Sequence, residues 1–170
     1  SSMVPNLESG QFLLVNKLVY FQLDTSRLAK VIPFWDEESP STHFAIHPPR
    51  RGEEIVFRFP KDPSKDFVKR VIGLPGEEVE VVSGTPYIDG VPMVEPYLKS
   101  RDRSNSSALL LGDGEYFVMG DNRRSSNDSR NWGAVPEENI LGKVWVAYWP
   151  FTQAKLLETA SSVTKSLIFW

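Results

Sequence analysis

The sequence predicts a mainly β domain, and three observations carry that expectation. Short runs of strand-forming residues recur along the chain, separated by Gly, Pro, Asn and Asp turn signals. Residues 78–82 (EVEVV) alternate charge and valine, the period-2 pattern of a half-buried strand. Thirteen prolines are scattered through 170 residues, a density that interrupts long helices.

The first strand is expected over residues 11–17 (QFLLVNK). Residues 24–50 hold several prolines, mixed charge and little periodicity, and read as a loop. A strand over 55–59 (IVFRF) follows the turn-like Arg51-Gly52, and another over 67–72 (FVKRVI) stops at Gly73-Leu74-Pro75-Gly76. Tyr87-Ile88 and residues 91–94 flank Asp89-Gly90, a strong two-residue hairpin signal. Residues 99–109 are polar and predict a mobile surface loop. Strands follow at 116–119 (YFVM) and 143–148 (KVWVAY), the last closed by Trp149-Pro150. In the tail, Leu156, Leu157, Ala160, Val163, Leu167 and Ile168 fall near a 3.6-residue period, so residues 151–170 are a helix candidate. Such a helix either packs on the body or lies at a membrane interface.

Composition narrows the function. Hydrophobic residues make up 41% and charged residues 24% of the chain, enough to bury a core. With 19 Lys and Arg against 22 Asp and Glu, the net charge is -3. That balance argues against a nucleic-acid partner, which calls for a basic excess. There is no cysteine, which removes disulfides, thiolate nucleophiles and Cys-based zinc sites. His43 and His47 stand in an H-x3-H spacing, but Pro48, Pro49 and the absence of a third ligand argue against a metal site. No apolar run approaches the ~20 residues of a membrane span.

Four segments hold the chemistry-bearing residues. They are Ser1-Ser2-Met3-Val4-Pro5-Asn6-Leu7, Arg51-Gly52-Glu53-Glu54-Ile55-Val56-Phe57, Lys69-Arg70-Val71-Ile72-Gly73-Leu74-Pro75-Gly76 and residues 120–133 (GDNRRSSNDSRNWG). A serine hydroxyl needs a base to become a nucleophile, and neither histidine lies in these segments. A lysine serves if it is neutral at working pH. Exposed, it titrates near ~10.4; burial disfavours the ammonium and lowers that value. On a strand, Lys69 shares its face with Phe67 and Val71, which desolvate an amine, while Arg70 points the other way.

In order and content the four segments closely resemble the type I signal peptidase family, membrane-bound Ser/Lys-dyad serine proteases. The resemblance spans residue 2 to about 150. It implies a signal-peptidase-like antiparallel β-sheet catalytic core over residues 1–150, with a small β cap lobe inserted at about 77–115. It assigns Ser2 as nucleophile, Lys69 as general base and Ser126 as the hydroxyl that orients the lysine amine. Asp121 would pair with Arg70, and Asp128 with Arg130, as structural supports. Met3, Leu7, Leu13, Phe67 and Val68 match or adjoin pocket positions for small substrate side chains. The Ser2 backbone N–H would form half of an oxyanion hole.

The implied function is removal of signal peptides from exported preproteins at the extracytoplasmic face of a membrane, without metal or cofactor. Partners would be signal peptides and the lipid surface, to which Phe12, Trp145, Trp149 and Phe151 could contribute; core packing is the competing role for these aromatics. Asn6 and Gln11 stand where the family commonly has Thr and Asp. The family's membrane helices are expected upstream of Ser2. Two other readings remain at this point: a non-catalytic signal-peptide-binding relative, and a self-cleaving repressor domain, which would need an attached DNA-binding domain.

Overall fold

A computed structural model describes residues 2–3, 7, 12–17, 19–20, 22–23, 43–44, 47–100, 102–148 and 155–156. Its centre is an antiparallel hairpin. Strand β4 (Glu54–Phe59) turns at Pro60-Lys61 into β5 (Asp62–Gly73), with Ile55 opposite Lys69 and Glu54 opposite Arg70. Strand β10 (Glu115–Met119) extends the sheet beyond β5, followed by the short β11 (Val135–Pro136). On the other side β12 (Ile140–Tyr148) pairs with β4 and then with β1 (Phe12–Asn16). Two-residue strands β2 (Gln22–Leu23) and β3 (His43–Phe44) pair with each other.

A second antiparallel sheet is built from β6 (Glu78–Val82), β7 (Thr85–Ile88), β8 (Val91–Pro92) and β9 (Ser106–Leu110), in the order β8-β7-β6-β9. Its two tight turns, Ser83-Gly84 and Asp89-Gly90, all have positive φ, the conformation two-residue hairpins require.

The period-2 pattern of β10 explains how the sheets join. Tyr116 and Val118 enter a cluster with Ile55, Phe57, Val71 and Ile140; Phe117 and Met119 face the opposite cluster with Ile72, Val79, Val81 and Leu111. The sheets approach so closely at Gly73 that a Cβ there would collide with Val79 Cγ2 of β6 and lie 2.9 Å from Leu111 Cδ1.

Three expectations change. Residues 106–110, expected in a mobile loop, form β9 against β6; the ladder of an edge strand holds them, and their largely exposed side chains leave no clear apolar alternation. His43–Phe44, within another expected loop, is strand. Lys155–Leu156, at the start of the helix candidate, pairs instead with Val146–Ala147 of β12, because an open strand edge offers unpaired backbone partners. The rest of the tail, Trp149 and Phe151, lies outside the described residues, as do Asn6, Gln11 and the side chains of Phe12 and Leu13. Among the described residues, no helix is long and apolar enough to cross a membrane.

Candidate active site

The pleat of β5 separates its two adjacent cations. Lys69 is 4% exposed, and its Nζ lies 5.4 Å from the centre of the Phe67 ring. It forms a 2.5 Å hydrogen bond with Ser2 Oγ, across 67 residues of sequence. Among the described residues Lys69 has no ion-pair partner. Its pKa is lowered, first by burial and also by the Arg130 charge, against opposing contributions from Asp128 and Asp121. The lysine is thus driven towards the neutral amine, the form that accepts a proton.

Arg70, one residue on, is surrounded by acceptors. Nε donates to Asp121 Oδ1 at 2.8 Å and Nη2 to Asp121 Oδ2 at 2.6 Å. Nη2 also reaches Glu54 Oε1 at 2.5 Å, and Nη1 the Gly52 carbonyl at 2.6 Å. The Tyr97 ring covers the guanidinium at 4.1 Å. Burial opposes this charge, but the Asp121 and Glu54 carboxylates outweigh it and push the pKa upward.

The loop after β10 carries the remaining residues. Asp128 caps the one-turn helix α1 (Ser129–Trp132) by accepting from the Arg130 amide. Its carboxylate also takes the Gly120 amide at 3.0 Å and hydrogen bonds from the Arg130 side chain at 2.8 and 2.9 Å. The Asn122 amide donates to the Ser2 carbonyl at 2.9 Å, so the loop grips the main chain of the serine.

Ser126 departs from expectation. Its Oγ is buried and makes no hydrogen bond among the described residues, and the lysine bonds to Ser2 instead. The hydroxyl is turned against Gly120, where a Cβ would collide with it and with the Ser2 carbonyl oxygen, 2.5 Å away.

The pocket residues divide. Met3 and Leu7 are buried together against Val68, with the Leu7 amide donating to the Met3 carbonyl. Phe67 joins an aromatic group instead, with ring centres 6.3 Å from Phe57 and 4.8 Å from Phe59. Leu13 lies on β1, opposite Ala147.

Several supports escaped the sequence reading. Glu53, 2% exposed, accepts from Tyr20 Oη at 2.5 Å, the Arg50 amide at 3.0 Å and Lys143 Nζ at 2.8 Å. Burial pushes its carboxyl up, but the bonds from Lys143, Tyr20 and Arg50 together hold it below the usual value. Arg123, Glu95, Tyr97 and Asp102 were also missed. Arg123 and Glu53 at least lie inside conspicuous segments; Glu95, Tyr97 and Asp102 carry no local signal. Among the described residues no cluster of metal-ligating side chains forms, and His47 lies beside Glu53, 3.9 Å from Oε1.

A family model described as "Signal peptidase, peptidase S26" matches residues 1–149. The chain belongs to the S26 signal peptidase family. Among S26 relatives, a probable signal peptidase I-1 of Synechocystis is 39% identical over 156 residues, covering 88% of this chain and 67% of the relative. A signal peptidase I of Bacillus caldolyticus is 38% identical over 166 residues, covering 89% and 77%. A crystal structure of a signal peptidase I from Enterococcus faecalis aligns with a TM-score of 0.51 at 34% identity, over 59% of this chain and 99% of that one. The match covers 67% of the length of that Synechocystis relative, 63% of a probable signal peptidase I-2 of Synechocystis and 65% of a signal peptidase I of Leptolyngbya laminosa, so the chain spans about two thirds of these relatives. The β architecture described above is therefore that of a signal peptidase I.

Proposed function

We propose that this chain is the catalytic part of a signal peptidase I, a serine endopeptidase in which Ser2 is the nucleophile and Lys69 the general base. The observation that carries the reading is the 2.5 Å contact between Lys69 Nζ and Ser2 Oγ at a buried lysine that has no ion-pair partner among the described residues. Neutral Lys69 takes the Ser2 hydroxyl proton as Oγ attacks the scissile carbonyl. The Ser2 backbone N–H stabilises the oxyanion. The lysine ammonium then gives its proton to the departing amine, leaving an acyl ester on Ser2. Lys69 next takes a proton from water as it attacks the ester, and returns that proton to Ser2 Oγ as the acyl bond breaks, which releases the signal peptide with a free carboxylate and restores the neutral amine and the hydroxyl. Ser126 Oγ makes no bond to the lysine in this structure; a rotation of that hydroxyl from Gly120 to Lys69 Nζ is what would let it hold the neutral amine in line during these transfers.

Met3, Leu7 and Val68 supply the apolar wall that selects small side chains by excluding larger ones. Arg70 with Asp121, and Arg130 with Asp128, keep the loop against β5. The substrate is a signal peptide of an exported preprotein, cleaved on the extracytoplasmic side of the membrane. Trp145, 52% exposed on β12, and Leu14, 48% exposed on β1, offer apolar surface to the lipid.

The test is preprotein processing by the full-length protein carrying Ser2→Ala or Lys69→Ala. Both variants are expected to lose cleavage. Normal cleavage by Lys69→Ala overturns the dyad, and peptide affinity without turnover in the unsubstituted protein favours a binding relative.

A further inference from the structure

The loop that grips Ser2 is itself held from the segment that joins β8 to β9 of the second sheet. Arg123 lies in the 3-10 turn after β10, and Glu95 in the segment following β8. Their side chains are 1% and 0% exposed. Arg123 Nη1 donates to Glu95 Oε2 at 2.8 Å and Nη2 to Oε1, a two-pronged fork. The same guanidinium donates through Nε to the Gly120 carbonyl at 3.2 Å. Glu95 Oε1 also accepts from Tyr97 Oη at 2.7 Å, and the Tyr97 ring is the one lying over Arg70. Arg130 repeats the pattern: it donates to the Arg123 carbonyl at 2.9 Å, and to Asp102 Oδ2 and Ser104 Oγ at 2.7 Å each.

We propose that Glu95 and Arg123 are positioning residues for the nucleophile, through which the segment between β8 and β9 fixes the 120–122 loop against Ser2. The path is short and covalent or hydrogen-bonded at each step. Glu95 fixes the Arg123 fork; Arg123 Nε fixes the Gly120 carbonyl; two residues on, the Asn122 amide holds the Ser2 carbonyl. The contact at Gly120, where no Cβ fits between the loop and the Ser2 carbonyl, turns any shift of the loop into a shift of the serine. A planar fork is required because a lysine ammonium cannot hold two carboxylate oxygens and a carbonyl in one plane. A displacement of ~1 Å at reacting atoms costs on the order of 100-fold in rate, so a remote tie of this kind acts on kcat and leaves peptide affinity largely in place.

This inference rests on the Ser2–Lys69 reading for its effect on rate, but its structural half is measured separately. The experiment compares Glu95→Gln, Arg123→Lys and, as control, Lys143→Met in the full-length protein. Lys143→Met breaks an equally short tie to buried Glu53, away from the 120–122 loop. Two quantities are read: hydrogen exchange at the Asn122 amide, and kcat and KM on a signal-peptide substrate. Glu95→Gln and Arg123→Lys are expected to speed Asn122 exchange at least tenfold and lower kcat 10- to 100-fold, with KM within threefold of the starting protein. Lys143→Met is expected to lower the melting temperature while leaving Asn122 exchange and kcat unchanged. Wild-type Asn122 protection in both Glu95→Gln and Arg123→Lys overturns the proposal, whatever the activity. So does equal loosening of Asn122 in Lys143→Met, which makes the effect one of general stability. Turnover by Ser2→Ala would sink the dyad instead, while the exchange result would still stand.

Discussion

Arg70 and Asp121 meet through two parallel hydrogen bonds, Nε to Oδ1 at 2.8 Å and Nη2 to Oδ2 at 2.6 Å, although 51 residues separate them. The pair ties the base-bearing strand to the loop after β10. Both side chains are almost fully buried, so each charge depends on the other. Removing one partner of such a pair costs about 3–5 kcal/mol, because the survivor stays buried and uncompensated. Asp121→Ala should therefore lower the urea midpoint by a corresponding amount. An unchanged midpoint would show that Glu54 alone satisfies Arg70.

Lys69 makes pH a probe of the site. Its folded pKa lies below its ordinary value of 10.5, so the folded state releases the proton more readily than the unfolded state. Stability contributed by this group is complete above pH 10.5 and is lost as pH falls through the folded pKa. Lys69→Met should remove that slope from the pH dependence of urea unfolding. In the unsubstituted enzyme, kcat/KM should rise with pH along a limb whose midpoint lies below 10.5.

Asp128 offers a way to move that limb. Burial is the main influence on Lys69, and the Asp128 carboxylate is the largest one opposing it. Replacing it by asparagine removes a negative charge that favours the ammonium. Asp128→Asn should therefore shift the acid limb of kcat/KM to lower pH. A shift to higher pH would mean that loosening the loop hydrates Lys69 more than the lost charge acidifies it.

Gly120→Ala tests the closeness of the loop. The added methyl group has no room between Ser126 Oγ and the Ser2 carbonyl. Overpacking of this kind typically costs about 1–3 kcal/mol in stability. The effect on rate should be larger, on the order of 100-fold in kcat, since the strain falls on the nucleophile's main chain. Steady-state kinetics beside a thermal melt would separate the two.

Glu53 predicts the acid side of the stability curve. Its hydrogen bonds hold its folded pKa below the ordinary 4.5. That contribution is present above pH 4.5 and disappears as pH falls through the folded value. Glu53→Gln should flatten this part of the curve, which acid titration followed by circular dichroism would detect.

The residues whose neighbours in sequence are also their neighbours in chemistry were the legible ones. Lys69 stood out because Phe67 and Val71 flank it on one strand face, and the resemblance supplied its serine. The Asp89-Gly90 hairpin was legible because its turn is made by two residues alone. Strand β9 was not, since its alternation is faint and its pairing with β6 belongs to the sheet. Glu95 and Arg123 lie 28 residues apart; nothing local marks Glu95, and their meeting depends on how the two sheets dock. Ser126 shows a different limit: a motif can name a hydroxyl without saying which way it turns.

The division of labour between Lys69 and Arg70 has a consequence for how the strand tolerates change. Among the described residues one cation is kept without a counter-ion, which lets it shed its proton, and its neighbour receives two carboxylates, which hold the proton in place. A single-residue slip along β5 would turn each of them to the opposite face, and a slip that carried Arg70 into the place of Lys69 would present an arginine that cannot accept a proton to the serine. Such a chain would keep its composition and both cations on the strand yet have lost its base. Insertions and deletions between Phe59 and Lys69 should consequently be tolerated only where the hairpin end absorbs them, as the register shift after Arg58 already does.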